Sequence, residues 1–106
     1  MDWFGTVDEY LYSVGRIGLE QVLCEGCLSG GVPPAVAGYA RITRELMSRS
    51  LEADGGAHEA YGGTLAIAEV RYQFLCHIFI DADGSHFVSH IAHFEPVEWS
   101  VRMAVA

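Results

Sequence analysis

The alternation of apolar and polar residues is clearest between Val70 and Glu95, VRYQFLCHIFIDADGSHFVSHIAHFE. Two apolar runs flank Asp83-Gly84, a dipeptide typical of two-residue type I′ turns because both central positions of that turn need positive φ. The pattern therefore predicts a β-hairpin. With Asp83-Gly84 at its centre, the register places His77 directly opposite His90.

Side chains alternate between the two faces of a strand, so the predicted turn assigns each hairpin residue to one surface. The first surface is almost wholly apolar and is the predicted core side, with Tyr72, Phe74, Cys76, Ile78, Ile80, Phe87, Ser89, Ile91 and His93. The second surface mixes apolar side chains with imidazoles. It is the predicted binding surface and includes Leu75, His77, Phe79, Asp81, His86, Val88, His90 and Phe94.

Two segments before the hairpin are predicted to be helical. Thr6 and Glu9 fit a capping box at the start of the first helix. Apolar residues then recur in this segment at helical spacing, at Val7, Leu11, Val14 and Ile17. The second predicted helix begins at Pro33-Pro34 and continues to about Ala53, where Asp54-Gly55-Gly56 supplies a glycine-type end.

The remaining segments complete a predicted sheet. Residues 57–63 are expected to form a loop, and residues 64–69 alternate as a strand does. Because no turn signal follows them, residues 64–81 are either one long bent strand or two segments joined by an irregularity. Pro96 interrupts the pattern, and the alternation in residues 97–105 predicts a final strand.

This order of elements predicts an α+β fold, with two N-terminal helices packed on one face of a three- to four-stranded antiparallel sheet. A length of 106 residues fits one domain spanning residues 1–106. Both helices are expected on the apolar side of the hairpin. The histidine-bearing surface is then left open to solvent or to a partner.

The charge balance restricts the function. The chain has 14 acidic residues against 6 basic ones and a formal net charge of −8. Binding to nucleic-acid phosphates requires a basic surface, so direct nucleic-acid binding is not expected, whereas attraction to a basic protein is. No apolar run is long enough to span a membrane, and no signal-peptide pattern is present, so a cytoplasmic location is expected.

The cysteines offer weaker clues. An odd number of cysteines, 3 in total, argues against a secreted disulfide framework. Cys24 and Cys27 form a CxxC motif, which occurs in half of many zinc sites and in redox pairs. No second CxxC accompanies it, and it follows a predicted helix rather than a strand. Two small, partly buried structural cysteines are the favoured interpretation.

The histidines could bind a metal ion or act in acid–base catalysis. His77 and His90, as cross-strand neighbours, are close enough to share a metal ion, but no third ligand is evident. Asp81 opposite His86 is an arrangement in which a carboxylate orients an imidazole for acid–base catalysis. The sequence has neither a Gly-rich phosphate motif nor a GxSxG motif. No cofactor is predicted.

The function that these observations favour is protein binding. An acidic domain with exposed apolar residues among polar ones is typical of an inhibitor or regulator of a basic, nucleic-acid-processing partner. Phage-encoded inhibitors of defence complexes, immunity proteins and antitoxins fit this description. The alternatives are a homo-oligomer that uses the same surface, and a small histidine-based enzyme or metal-binding protein that uses the 70–95 hairpin.

Overall fold

The computed structural model describes residues 3–97 and shows an α+β fold. Helices α1 (Trp3–Gly15) and α2 (Leu19–Ser29) come first, followed by one 3₁₀ turn at Pro34–Val36. Four strands follow: β1 (Ala40–Leu51), β2 (Ala57–Ile67), β3 (Val70–Ile80) and β4 (Phe87–Pro96). They form an antiparallel sheet in the order β1-β2-β3-β4, so each strand pairs with its neighbour in sequence.

The helices and one face of the sheet enclose a single core, as predicted. Residues from both layers contribute to it, namely Val7, Leu11, Leu19, Val22, Leu23, Cys27, Val36, Ala40, Tyr61, Leu65, Ile67, Tyr72, Phe74, Cys76 and Ile78. Both helices lie on the apolar side of the hairpin, and the opposite sheet face is left without a helix from the described part of the chain.

The helices are not the segments that were predicted. The first predicted helix is divided in two, because Arg16 has a φ of 57° and Gly18 is extended. Asp8 Oδ1 accepts a hydrogen bond of 2.7 Å from the Leu19 N–H, which satisfies one of the free donors at the start of α2. Since α1 begins at Trp3, the predicted cap at Thr6 is also wrong.

The second predicted helix is wrong as well. After the turn at Pro34–Val36 the chain enters β1, which pairs with β2 along its length. The Thr43 and Thr64 hydroxyls lie 2.7 Å apart across this pair. Pairing with β2 outweighs the helical preference of the Arg, Glu, Leu and Met residues in this segment, because local propensity is a weak prior against tertiary contacts.

The predicted loop at residues 57–63 belongs to β2, so that prediction is also wrong. Residues 64–81 are not one bent strand. Ala68 and Glu69 form a two-residue turn between β2 and β3, and both have positive φ, 49° and 71°. The expected final strand falls almost wholly in residues 98–106, which lie outside the described residues.

The predicted hairpin register is confirmed from the turn to Cys76, which pairs with Ile91, and His77 pairs with His90. The turn type is wrong. The Asp81 carbonyl accepts a 3.0 Å hydrogen bond from the Gly84 N–H, and of the predicted central pair Gly84 alone has positive φ. The Asp83 carboxylate instead accepts hydrogen bonds from Ser85, which stabilises a longer turn without altering the register.

Farther from the turn, β4 contains a one-residue bulge at Ala92, because Leu75 pairs with His93. A bulge reverses the faces of the residues beyond it. Phe94 therefore lies on the helix side, stacked on Tyr72 with ring centroids 4.8 Å apart. The prediction that placed Phe94 on the binding surface and His93 in the core is wrong for this reason.

Candidate functional site: the open face of the sheet

We call the sheet surface opposite the helices the open face. The strand registers place on it Arg41, Thr43, Glu45, Met47, Ser48, Ser50, His58, Ala60, Gly62, Thr64, Ala66, Arg71, Gln73, Leu75, His77, Phe79, Val88, His90, His93 and Glu95. Of the predicted binding residues, five are on this face: Leu75, His77, Phe79, Val88 and His90. Asp81 and His86 lie in the β3–β4 turn at its end. Phe94 does not belong to it.

The open face carries exposed apolar side chains. Phe79 and Val88 are cross-strand partners on β3 and β4, and they remain 45% and 65% exposed. Met47, beside the bulge in β1, is 62% exposed. Met47 was absent from the predicted surface because its segment was expected to be helical.

Two histidines on this face are hydrogen-bonded to each other. His58 Nε2 lies 2.8 Å from His77 Nδ1, so one ring donates and the other accepts. The His58 ring also stacks on Phe79, with centroids 4.4 Å apart and an interplanar angle of 6°. The sequence reasoning missed His58, although its alternation with the inward-facing Ala57 and Glu59 is the pattern of a strand.

His77 and His90, the predicted metal pair, are cross-strand neighbours. However, the His77 ring is hydrogen-bonded to His58. Within residues 3–97, the group of three potential ligands close enough to share an ion is Asp81, Asp83 and His86, all exposed. Hydrogen bonds from Ser85 lower the pKa of Asp83 to about 2. Turn contacts thus account for this cluster.

The predicted Asp81–His86 pair is formed, with 2.8 Å between His86 Nδ1 and Asp81 Oδ2. Ser85 Oγ lies 3.0 Å from the same nitrogen. A Ser-His-Asp relay needs the serine and the carboxylate on different imidazole nitrogens, and here both meet Nδ1. The His86 side chain is 80% exposed, so water surrounds the pair. This geometry favours a turn contact over a catalytic relay.

The cysteines lie between α2 and β3, on the other side of the sheet. Cys27 and Cys76 are fully buried, Cys24 is partly buried, and all three are free thiols. A hydrogen bond with Cys76, together with burial, raises the pKa of the Cys27 thiol far above its ordinary value. Burial also raises the pKa of Cys24. The raised pKa values keep the Cys24 and Cys27 thiols protonated, and a protonated thiol is unreactive.

A group of acidic residues lies beside the open face, at the end of the sheet where two turns meet. Glu52 and Asp54 belong to the β1–β2 turn, and Asp81 and Asp83 belong to the β3–β4 turn. The turns are in contact, since a Cβ built on Gly55 would lie 3.4 Å from the Ala82 Cβ. Four carboxylates are thereby brought to one end of the sheet.

The chain matches no protein-family model, no curated protein and no solved structure. In residues 3–97, no helix combines the length and the hydropathy that crossing a membrane requires.

Proposed function

We propose that the protein is a small acidic binding module that inhibits or regulates a basic protein partner through the open face. The observation that carries this proposal is the exposure of Phe79 and Val88, side by side, on a sheet surface that the described helices leave free. Exposed aromatic and aliphatic groups set among polar ones are typical of the centre of a protein interface.

The charge supports a basic partner. A formal charge of −8 accelerates encounter with a positively charged surface, and the carboxylates at the end of the sheet lie next to the exposed apolar pair. Proteins that bind nucleic acid present such basic surfaces. An inhibitor of a nucleic-acid-processing complex, of the phage-encoded, immunity or antitoxin kind, is the class that these properties fit best. Free thiols are stable in the cytoplasm, where we place this activity.

The test is a comparative capture experiment from a lysate of the host cells. Wild type is compared with Phe79→Ser/Val88→Ser and with the control Tyr12→Ser/Tyr39→Ser, whose side chains are similarly exposed, at 54% and 47%, outside the open face. We expect wild type and control to retain the same basic protein in stoichiometric amount. The open-face variant should lose it by about tenfold or more, since central apolar contacts dominate interfaces.

Two results would count against the proposal. One is equal recovery of the partner by the open-face variant. The other is recovery of no stoichiometric partner by wild type at low salt. Circular dichroism of each variant establishes that it is folded before its capture is compared.

A further inference from the structure

A groove of about 250 Å³ lies at the end of the sheet, between the β1–β2 turn and the β3–β4 turn. The apolar side chains of Phe79 and Val88 line it, and so do the acidic residues Glu52, Asp54 and Asp81. We call it the acid-rimmed groove. Because Phe79 and Val88 also belong to the open face, the groove is continuous with that face.

The groove has a chemically asymmetric lining. Among residues 3–97, three acidic residues line it and no arginine or lysine does. The one imidazole in the lining, His86, is already hydrogen-bonded to Asp81. An occupant that suits this lining has an aliphatic part for the walls and a positive charge for the rim.

The volume of the groove and the orientation of the Phe79 ring restrict which side chain can occupy it. Pockets for whole small-molecule ligands usually measure about 300–1,000 Å³, so a groove near 250 Å³ suits one long side chain. Phe79 is held in place by stacking on His58, which presents a fixed aromatic ring to the groove. A planar guanidinium stacks on aromatic rings and bonds carboxylates through two parallel N–H groups, which an ammonium does not.

We propose that the acid-rimmed groove anchors an arginine side chain of a basic protein partner. The arginine stem lies along Val88, and its guanidinium reaches the rim carboxylates beside Phe79. This inference rests on the proposed function for the identity of the partner as a protein. The arginine preference itself rests on the lining of the groove and can be measured without the partner.

The probe is a blocked peptide, Gly-Arg-Leu-Arg-Gly, titrated into the full-length ¹⁵N-labelled chain and followed by NMR. An otherwise identical peptide with citrulline in place of arginine removes the charge and keeps the shape. We expect the arginine peptide to shift the amide signals of Phe79, Asp81 and Val88 most. The citrulline peptide should leave them unchanged, and a lysine peptide should bind more weakly than the arginine peptide.

Two triple variants separate the groove from the total charge. The groove variant is Glu52→Gln/Asp54→Asn/Asp81→Asn. The control is Glu9→Gln/Glu20→Gln/Glu25→Gln, at exposed positions on the helices. Both raise the formal charge of −8 by three units, to −5. The groove variant should weaken peptide binding by about fivefold or more, and the control by less than about twofold.

Equal weakening in both triple variants, or amide shifts centred away from the groove, would overturn the arginine anchor. If that happened while the capture experiment still yielded a partner lost in the Phe79/Val88 variant, the proposed function would stand without the anchor. Arginine-specific binding in the groove with no partner captured would support the anchor and remove the proposed function.

Discussion

At the scale of single residues, the hydrogen bond between His58 and His77 organises the open face. One imidazole must donate and the other accept, so the pair is compatible with at most one positive charge while the bond persists. His58 in turn stacks on Phe79 and limits the orientations of that exposed ring. An aromatic group held in one orientation loses less entropy when a partner covers it.

A second residue-scale contact surrounds Glu59, a buried carboxylate on the helix side. Its Oε1 accepts a 2.8 Å hydrogen bond from the Tyr61 hydroxyl, and its Oε2 lies 3.1 Å from Arg49 Nε. Tyr61→Phe leaves one oxygen of a buried charge without its donor, so we expect a loss of about 1–3 kcal/mol in unfolding free energy. Urea denaturation measures it. The exposed control Tyr39→Phe should change stability by less than about 0.5 kcal/mol.

The same hydroxyl gives a pH signature. Burial, followed by the hydrogen bond to Glu59, raises the pKa of Tyr61 to about 12. An unfolded tyrosine ionises near pH 10, so the contribution of neutral Tyr61 to stability is complete below about pH 10 and is lost as the pH rises through about 12. Tyrosinate absorbance should show a step near pH 12 that is absent in Tyr61→Phe. Persistence of that step in the variant would contradict the assignment.

At the scale of elements, the turn between β2 and β3 is strained. Ala68 and Glu69 both occupy the left-handed region, which costs ordinary L-residues roughly 1–2 kcal/mol each. We expect Ala68→Asn/Glu69→Gly, the preferred pair for such turns, to raise the unfolding free energy by about 1–2 kcal/mol. The converse control is Gly84→Ala, where φ is 75° and no neighbour lies within 4 Å; it should destabilise the protein. An unchanged melting temperature in the Asn-Gly variant would show that the turn is not strained.

Some elements of the fold were predictable from the sequence and others were not. The hairpin register was predictable because the apolar runs and Asp83-Gly84 lie close together in the chain. Strand β1 was not predictable, because its residues favour a helix and only β2, distant in sequence, supplies its partner. Gly63 was interpreted as the exit of a loop, whereas a Cβ there would collide with the Thr43 carbonyl of the adjacent strand.

The candidate site was predictable near the β3–β4 turn and not farther from it. His77, Phe79, Val88 and His90 followed from simple alternation near the turn. The bulge at Ala92 has no sequence signal, so the faces beyond it, and with them Phe94, were assigned incorrectly. His58 was missed because the strand that carries it was interpreted as a loop.

At the scale of the whole molecule, one face of the sheet packs in the core and the other is exposed. One side packs against the helices and carries the free thiols, and the other exposes apolar and imidazole groups beside an acidic end. This division places the stability of the fold away from the proposed binding surface. Substitutions on the open face can therefore alter binding without removing the core.

The central claim is that a partner covers the open face, and hydroxyl-radical footprinting of the complex tests it most directly. We predict that the partner protects Phe79 and Val88 from oxidation, while Phe4 and Tyr12 on α1 react as they do in the free chain. These four side chains are all exposed in the free protein, at 45%, 65%, 36% and 54%, so each reports on coverage. Protection of Phe4 and Tyr12 with unchanged oxidation of Phe79 and Val88 would contradict the account.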